Sequence, residues 1–355
     1  MGVRHVEQKD NNRINRILFH YDLVPYNLAV RGSLIRVDTP VGSFALKQKV
    51  LNDQQIRSLQ TVYTLTRRMV IDAVCPLPSK YGDLVIRGTE TSYYLLPWFT
   101  ETVDPSNLQE RYRHLFIKAG QLHRKTLEKK ADSTSLYQGM VRVLNQRQMI
   151  WEQFLYKAEH HVYPSPFEQA VLKSAFIYLE NMQRARDFFS HEKDEEGKNK
   201  TMRRALCHGR LSPLHLLIEN ERSCLTNFEN SEDGFFVVET AMLFEQANAM
   251  LGSEQTDWQG FYESYRAACP LNDEEKNFLT HFLLFPSAHA ELLSRYLYSG
   301  QIDEQWFVKR WIDLCRTHMN MFTSIKERMD EEQKKEEERK AKEKAAKEKD
   351  EKEHQ

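Results

Sequence analysis

The pattern of apolar residues changes abruptly along this chain, and that change limits the folds it can adopt. Residues 26–99 show the β-rich runs and period-two alternation of strands, whereas residues 105–325 show mainly the spacing of long amphipathic helices. Pro40 and Gly42 mark a tight turn within the first region. Because strand candidates flank a single helical segment there, the sequence predicts a small antiparallel sheet with one crossing helix, followed by a larger helical region. The predicted fold class is therefore α+β.

Two local patterns place side chains within the strand-rich region. After the turn the residues alternate, so that Leu46 faces one side of the predicted strand and Lys47 the other. Asn52 is a suitable N-cap for the following helix. Apolar residues as far as Met69 and Val70 keep roughly helical spacing behind it, which predicts a helix of about that length.

The charged residues divide the chain into a body and a tail. Residues 326–355 hold 11 basic and 12 acidic side chains, many of them as i,i+4 pairs such as Glu331 and Lys335. A segment without an apolar face cannot pack as a core helix. We predict a sheet lobe at residues 1–99, a helical lobe at 100–325, and a charged helical or disordered tail. The tail is either a solvated extension of the last helix or a docking arm, and its removal is expected to leave the melting temperature nearly unchanged.

The composition excludes several classes of protein. The body is electrically neutral, so it is neither a strongly basic nucleic-acid-binding domain nor an acidic solvating chain. No stretch approaches the ~20 apolar residues that cross a bilayer, and the first residues lack the apolar run of a signal peptide. The five cysteines show no C-x-x-C spacing, which favours reduced thiols in a cytosolic protein and predicts no metal site.

A short irregular stretch carries the motif that indicates a chemistry. Residues 206–217, LCHGRLSPLHLL, resemble the catalytic loop of the aminoglycoside phosphotransferase and choline kinase family, whose pattern is H-G-D-x-x-x-x-N followed by apolar residues. His208 and Gly209 match that pattern. Residues 225–229, LTNFE, stand where such kinases carry D-F/W-[DE] after a short strand.

Segments before the loop resemble other parts of the same family in the same order. Residues 42–47, GSFALK, look like the second hairpin arm with the lysine that positions ATP, which here is Lys47. Residues 93–99, YYLLPWF, look like the fifth strand and hinge, and residues 117–126 look like the helix that follows. The resemblance covers roughly residues 20–320. It implies a bilobal kinase-like fold with a small antiparallel-sheet lobe and a larger helical lobe.

Within this family, two features resemble the YutH-type spore coat-associated proteins of the CotS-like branch. These are the His-Gly-Arg loop and residues 283–286, LLFP. The resemblance implies synthesis in the cytoplasm, a place in or on the spore coat, and spore coat proteins as partners. It does not imply catalysis, and it identifies no small-molecule substrate.

Three positions depart from the family pattern in ways that bear on activity. Arg210 stands where the loop Asp orients or deprotonates the acceptor hydroxyl, and a guanidinium has no acceptor lone pair. His215 replaces the Asn that binds Mg²⁺, and imidazole is a poor ligand for that hard ion. Asn227 replaces the Asp that bridges the metal to the phosphates. Because loss of even one such group normally costs orders of magnitude in rate, the sequence predicts a degenerate loop without ordinary catalysis.

Four residues keep two interpretations each. Lys47 is either an exposed strand lysine or a residual nucleotide contact, since the following helix offers no acidic partner. His208 either braces the loop or acts as a base, and His215 either packs or binds a metal. Glu229 is either the last carboxylate of a degenerate metal site or the ion-pair partner of Arg210. In the second case Arg210 would place a fixed positive charge where the metal stood in the family.

The predicted function is that of a spore coat-associated pseudokinase with a structural or interaction role. It requires no cofactor. ATP with Mg²⁺ remains the alternative cofactor, with Lys47, Asn227 and Glu229 as candidate nucleotide-binding residues. The alternatives are an active or weakly active ATP-dependent phosphotransferase that acts on a small molecule, and a nucleotide-binding sensor module without turnover.

Overall fold

The structure, a computed structural model, describes residues 4–5, 8–193, 196–220, 222–252, 255–299 and 303–353. The chain divides into two compact units. The first comprises Met1–Glu128 with Arg204–Glu239, and the second comprises Lys129–Arg203 with Thr240–Gln355. The domain boundaries near residues 99 and 325 stay a prediction.

The elements are numbered in chain order. The helices are α1 (Gln8–Phe19), α2 (Asp53–Arg67), α3 (Leu108–Lys125), α4 (Thr134–His160), α5 (Pro166–Ser190), α6 (Phe236–Leu251), α7 (Trp258–Ala268), α8 (Asp273–Leu283), α9 (Ser287–Tyr298) and α10 (Glu304–Glu353). The strands are β1 (Arg4–His5), β2 (Asn27–Arg31), β3 (Leu34–Thr39), β4 (Gly42–Lys49), β5 (Ile86–Arg87), β6 (Ser92–Pro97), β7 (Lys130–Asp132), β8 (Thr201–Arg203), β9 (Ala205–Cys207), β10 (Leu216–Glu219), β11 (Arg222–Leu225) and β12 (Glu232–Gly234). Short 3₁₀ helices lie at Pro213–His215 and Phe228–Asn230.

A six-stranded antiparallel sheet forms the N-terminal part of the first unit, in the order β1-β2-β3-β4-β6-β5. Gly32 closes the β2–β3 hairpin at a φ of +62°, a conformation that glycine adopts without steric cost. On one face of the sheet Leu46 and Leu95 pack with Leu18 of α1 in a buried core. Because side chains alternate across a strand, Lys47 lies on the opposite face from Leu46, as predicted.

The helix after this strand begins where the sequence predicts. Asn52 accepts a hydrogen bond from the backbone N–H of Gln55, and the Gln55 side chain accepts one from the backbone N–H of Asn52, which completes a capping box. The prediction for the end of α2 is wrong. The helix ends at Arg67, and Met69 has a φ of +58° and is almost fully exposed, so it cannot belong to the apolar face.

The remainder of the described chain is mainly helical, with short strands and turns at residues 201–234. An antiparallel sheet in the N-terminal part followed by a larger helical region confirms the predicted α+β class. In the second unit, the buried rings of Trp151, Tyr178 and Trp311 meet, with ring centroids 5.4 to 5.7 Å apart. No helix among the described residues is both long and apolar enough to cross a membrane.

Helix α10 continues without a break from the packed part of the second unit into the charged tail. Met329 is buried, and Glu332 pairs with Arg266 at 2.5 Å and with Lys276 at 3.4 Å. From residue 333 to residue 342 the side chains are all exposed. The packed part of the helix therefore ends near Glu332, several residues later than the tail boundary that charge alone predicts.

This boundary changes the expected effect of truncation. A chain that ends after Lys334 is expected to keep its melting temperature within about 2 °C, whereas one that ends after Ile325 loses Met329 and the Glu332 ion pairs and is expected to melt about 5 °C lower or more. Thermal unfolding followed by circular dichroism measures both values. Equal melting temperatures for the two truncations would contradict the packing of residues 326–332.

Candidate functional site

The site lies in the first unit, where β4 and β6 of the sheet meet the segment after β11. Asn227 takes the left-handed conformation at a φ of +68° and turns the chain into the 3₁₀ helix at Phe228–Asn230. This turn brings Asn227 and Glu229 to Lys47. The Lys47 Nζ donates to Asn227 Oδ1 at 2.7 Å and to Glu229 Oε1 at 2.7 Å. The structure thus brings together the three candidate nucleotide-binding residues.

A single carboxylate oxygen receives several donors at this point. Besides Lys47, the Glu229 Oε1 atom accepts hydrogen bonds from Tyr94 Oη at 2.5 Å and from Lys49 Nζ at 3.2 Å. Lys47 and Tyr94 are directly opposite each other in the β4–β6 register, so the sheet itself aligns two of the donors. Lys49 is on the same face of β4 because it follows Lys47 by two residues.

The electrostatics of this group keep Glu229 ionised at neutral pH. Its side chain is 1% exposed, and burial by itself raises the pKa of a carboxyl group. The charge of Lys47 and the hydrogen bonds from Lys47 and Tyr94 more than offset burial and lower the pKa of Glu229 to about 2. Burial and the neighbouring carboxylate raise the pKa of Tyr94, so its hydroxyl keeps its proton and remains a donor.

The loop at residues 206–217 is held by an acidic residue of α6. The Glu239 carboxylate accepts from the backbone N–H of His208 at 2.9 Å and from that of Gly209 at 2.7 Å, and it also bonds His123 Nε2 at 2.9 Å. Gly209 has a φ of +77°, and a Cβ atom there would lie 2.1 Å from the carbonyl oxygen of Asn230. Only glycine fits this position, so the loop keeps one steric requirement of the family pattern.

His208 is fully engaged in hydrogen bonds within the loop. Its Nε2 atom lies 2.8 Å from the carbonyl oxygen of Thr226 and therefore carries the proton, while Nδ1 accepts from the backbone N–H of Arg210 at 3.3 Å. Burial lowers the pKa of this histidine and keeps it neutral. With both ring nitrogens used, His208 has no lone pair to offer a substrate proton.

His215 bonds within the loop, and Arg210 does not approach the Glu229 carboxylate as the sequence suggested. The His215 Nδ1 atom donates to the carbonyl oxygen of Arg210 at 2.7 Å, and burial lowers the pKa of His215. The Arg210 side chain is exposed and forms no ion pair with any described residue. The expected pairing of Arg210 with Glu229 is therefore wrong, because Lys47 and Lys49 already occupy the Glu229 carboxylate.

Sequence reasoning missed four members of the site. Lys49 could be recognised because it follows Lys47 by two residues. The position of Tyr94 opposite Lys47 could not, because it depends on the β4–β6 register, which neither strand determines alone. The other two are His123 and Glu239, which meet across a long separation in sequence. Together with Cys207 they place potential ligand atoms within 4.8 Å of one another, yet both Glu239 oxygens already accept hydrogen bonds from the loop. We interpret this group as a brace for the loop.

The side chains at the family's metal positions do not fit Mg²⁺. That ion prefers several hard oxygen ligands with net negative charge. Here the two positions hold an imidazole, His215, and a neutral amide, Asn227, and both Asn227 and the neighbouring Glu229 carboxylate already accept from Lys47. Two lysines against one carboxylate give this group a net positive charge, which repels a divalent cation.

Comparisons with known proteins give structural neighbours but no sequence family. No protein-family profile and no curated protein matches the chain. An aminoglycoside phosphotransferase from Alicyclobacillus acidocaldarius matches with a TM-score of 0.68 and 14% identity, over 88% of this chain and 95% of that one. A spectinomycin phosphotransferase in complex with ADP and spectinomycin matches with a TM-score of 0.54 and 12% identity, over 88% and 98%.

A third neighbour is an amicoumacin kinase in complex with AMP-PNP and Ca²⁺, which matches with a TM-score of 0.50 and 12% identity, over 88% of this chain and 96% of that one. Likeness at such low identity concerns the fold alone. These neighbours, and the order of sheet, loop and helices described above, confirm the predicted kinase-like fold class. The chain has the fold of the aminoglycoside phosphotransferases.

Proposed function

We propose that this protein is a spore coat-associated pseudokinase, a kinase-like fold that transfers little or no phosphate and serves a structural or interaction role. The observation that carries the proposal is the closed group of Lys47, Lys49, Tyr94 and Glu229. In it, the lysine that the family uses to position ATP is paired with a buried carboxylate of the same chain. Neither ATP nor Mg²⁺ is required in this proposal.

The chemistry of phosphoryl transfer supports this interpretation. Such a transfer depends on positioning the phosphates and neutralising their charge, usually with metal ions, and on a group that orients the acceptor. In this chain Glu229 already neutralises Lys47, and an exposed Arg210 replaces the acceptor-orienting acid. Two structural neighbours hold ADP or AMP-PNP, whereas in this chain Lys47 is already paired with Glu229.

The decisive measurement for the catalytic part is transfer of labelled γ-phosphate. We expect the purified full chain, with ATP and Mg²⁺ and a panel of hydroxylated antibiotics and amino alcohols, to give no transfer above that of a Lys47→Ala variant. An active aminoglycoside phosphotransferase serves as the positive control. Transfer by the natural chain that Lys47→Ala abolishes would overturn the pseudokinase proposal and favour the phosphotransferase alternative.

The nucleotide-sensor alternative has one observation in its favour, since the Asn227 amide oxygen lies 2.7 Å from the Lys47 ammonium. A ligand that binds the folded state raises its melting temperature by mass action. A melting temperature that rises in millimolar Mg²⁺-ATP but not in the Lys47→Ala variant would favour the sensor. No rise is expected if Glu229 keeps Lys47 engaged.

The spore coat part of the proposal depends on the resemblance of the His-Gly-Arg loop and residues 283–286 to the YutH-type proteins. It predicts synthesis in the cytoplasm of the sporulating cell and spore coat proteins as partners. A fluorescent fusion in sporulating cells tests it directly. A ring of fluorescence around the forespore would support it, and diffuse fluorescence in vegetative cells would contradict it.

A further inference from the structure

The last part of helix α10 keeps a helical backbone where its described side chains are exposed. The helix continues to Glu353, and every side chain from Gln333 to Lys342 is exposed. Most helices in globular proteins depend on an apolar face that packs against a neighbour. The distal segment, defined as residues 333–353, therefore needs another source of helical stability.

The composition of the distal segment favours a helix at nearly every position. Its 21 residues are Glu, Lys, Arg, Gln and Ala with a single Asp, Asp350, and it contains no glycine, proline, β-branched or aromatic residue. Apart from Asp350, these residue types have high helix propensity. Because the packed part of α10 already supplies the helical nucleus, each further residue only extends an existing helix, which is the favourable step of helix formation.

Contacts one turn apart along the helix add to this preference. Glu336 pairs with Lys340 at 3.0 Å, and the Gln333 amide donates to Glu337 Oε1 at 3.0 Å. The hydrogen bond from Lys340 lowers the pKa of Glu336, and the same bond raises the pKa of Lys340. Glu four residues before Lys is the more favourable order of such a pair. In the sequence this order recurs at Glu338–Lys342, Glu343–Lys347 and Glu348–Lys352.

The distal segment lacks the apolar seam that a coiled coil requires. A coiled-coil strand carries apolar residues every 3.5 positions on average. Here the apolar residues are the three alanines Ala341, Ala345 and Ala346, which lie within two helical turns. The segment holds nine basic and eight acidic residues, so it has almost no net charge. Its sequence thus favours a lone helix in water over association through an apolar or strongly charged face.

We propose that the distal segment is a single α-helix that stays folded without a partner helix and serves as a rigid spacer. At 1.5 Å per residue it spans about 31 Å. It continues directly from Met329, which is buried, and Glu332, which is held by two cations, so its start is fixed in the second unit. A partner bound near Glu353 would therefore be held at a set distance, which a flexible chain of equal length does not provide. The proposal concerns the second unit alone and does not depend on whether the chain transfers phosphate.

Far-ultraviolet circular dichroism of two chains tests whether the distal segment is helical. The difference between the spectra of the full chain and of the chain that ends after Lys334 reports on the residues beyond Lys334. We expect at least about two thirds of these residues to be helical in the cold. We also expect the helical signal per molecule to stay constant over an about tenfold range of protein concentration, since a lone helix does not depend on association.

Two substitutions at one exposed position separate a continuous helix from other sources of signal. Ala341→Pro is expected to remove about half of the helical signal of the distal segment, because proline lacks the N–H and clashes with the preceding turn. Ala341→Gln is the matched control and should keep nearly all of that signal, because glutamine is a good helix former. Neither change should alter the melting temperature, since Ala341 is exposed.

Charge exchanges test the contribution of the ion pairs. Lys340→Glu with Lys342→Glu places like charges four residues apart and is expected to lower the helical signal of the distal segment. Adding Glu336→Lys and Glu338→Lys restores opposite charges with the original composition, and this variant is expected to recover part of the signal. Equal signals for the natural chain and the first of these variants would show that the ion pairs do not stabilise the helix.

Three results would overturn the spacer itself. A difference spectrum without helical signal would show that the distal segment is a flexible chain. A helical signal that rises with protein concentration, together with a dimer in light scattering, would assign the segment to a coiled coil of two copies. A spectrum of Ala341→Pro equal to that of Ala341→Gln would show that the signal does not come from a continuous helix through residue 341.

Discussion

Replacement of Glu229 by alanine is expected to lower the free energy of unfolding by about 3–5 kcal/mol, one of the largest effects of any single substitution in the chain. The reason is the environment of Lys47, whose side chain is only 12% exposed and whose ammonium would lose its carboxylate partner. Tyr94 would lose the acceptor of its buried hydroxyl at the same time. Urea unfolding at neutral pH measures the loss.

Two further variants separate the ion pair from packing. Lys47→Met combined with Glu229→Leu removes both charges and keeps apolar volume, so the double variant is expected to be more stable than Glu229→Ala alone. Asp53→Ala is the matched surface control, because Asp53 pairs with Arg87 in an exposed position and should cost less than about 1 kcal/mol. A cost below about 1 kcal/mol for Glu229→Ala would contradict a buried, paired carboxylate at this site.

The same ion pair has a defined pH dependence. Because the folded-state pKa of Glu229 is about 2, lower than the ordinary value of 4.5, the folded protein holds this carboxylate ionised where the unfolded chain begins to protonate it. Its contribution is therefore complete above pH 4.5 and is lost as the pH falls toward 2. The Glu229→Ala variant should therefore lose less free energy of unfolding than the natural chain as the pH falls. The difference between the two free energies of unfolding, measured across this pH range, tests this.

Local signals in the sequence located the parts of this site but not their partners. The alternation in β4 placed Lys47 on the correct face, and Asn52 marked the start of α2, because both depend only on neighbouring residues. The partner of Lys47 was sought on α2, where no suitable acid exists. It is Glu229, 182 residues further along the chain, and a pairing at that distance depends on how the loop after β11 meets the sheet.

The error over Arg210 has the same physical origin. Its place in the loop suggested a pairing with Glu229, yet Lys47, Lys49 and Tyr94 reach that carboxylate from the sheet. In the tail, by contrast, the error came from overlooking a local signal. Charge density alone placed its start at residue 326, although Met329 is buried and Glu332 binds two cations in the second unit. The single apolar residue in this charged stretch indicated packing, but the average composition of the stretch concealed it.

Two buried histidines make the second unit sensitive to acid. His289 and His318 are each about 1% exposed, and their ring centroids lie 5.6 Å apart beside Tyr178 and Trp311. Burial lowers the pKa of His318 to about 4, and burial, with the nearby His318 and Arg310 as smaller causes, lowers that of His289 well below its ordinary value. Both rings are therefore neutral in the folded protein.

The sign of the effect follows from proton counting. Below the ordinary pKa of 6.5 the unfolded chain binds protons on these histidines that the folded chain does not, so the free energy of unfolding falls as the pH falls. Each histidine contributes a slope of about 1.4 kcal/mol per pH unit, and His318 alone accounts for about 3 kcal/mol between pH 6.5 and 4. Above pH 6.5 the two residues contribute no slope.

Replacement of His289 by phenylalanine is therefore expected to stabilise the protein in acid. Neither ring nitrogen of His289 has a hydrogen-bond partner among the described residues, and the ring lies among aromatic neighbours, so an apolar ring of similar shape removes an unsatisfied buried group. We expect the free energy of unfolding to rise by about 1–3 kcal/mol at pH 7 and by more at pH 5, because the variant also loses one protonation step.

Tryptophan fluorescence in urea, with Trp151 and Trp311 in the same cluster, measures both values. His160→Phe, at an exposed position on α4, is the control for the same exchange of rings outside this cluster. An equal pH slope for the natural chain and His289→Phe would show that this histidine does not stay neutral in the folded state, and a large loss of stability at pH 7 would show that its nitrogens are bonded after all.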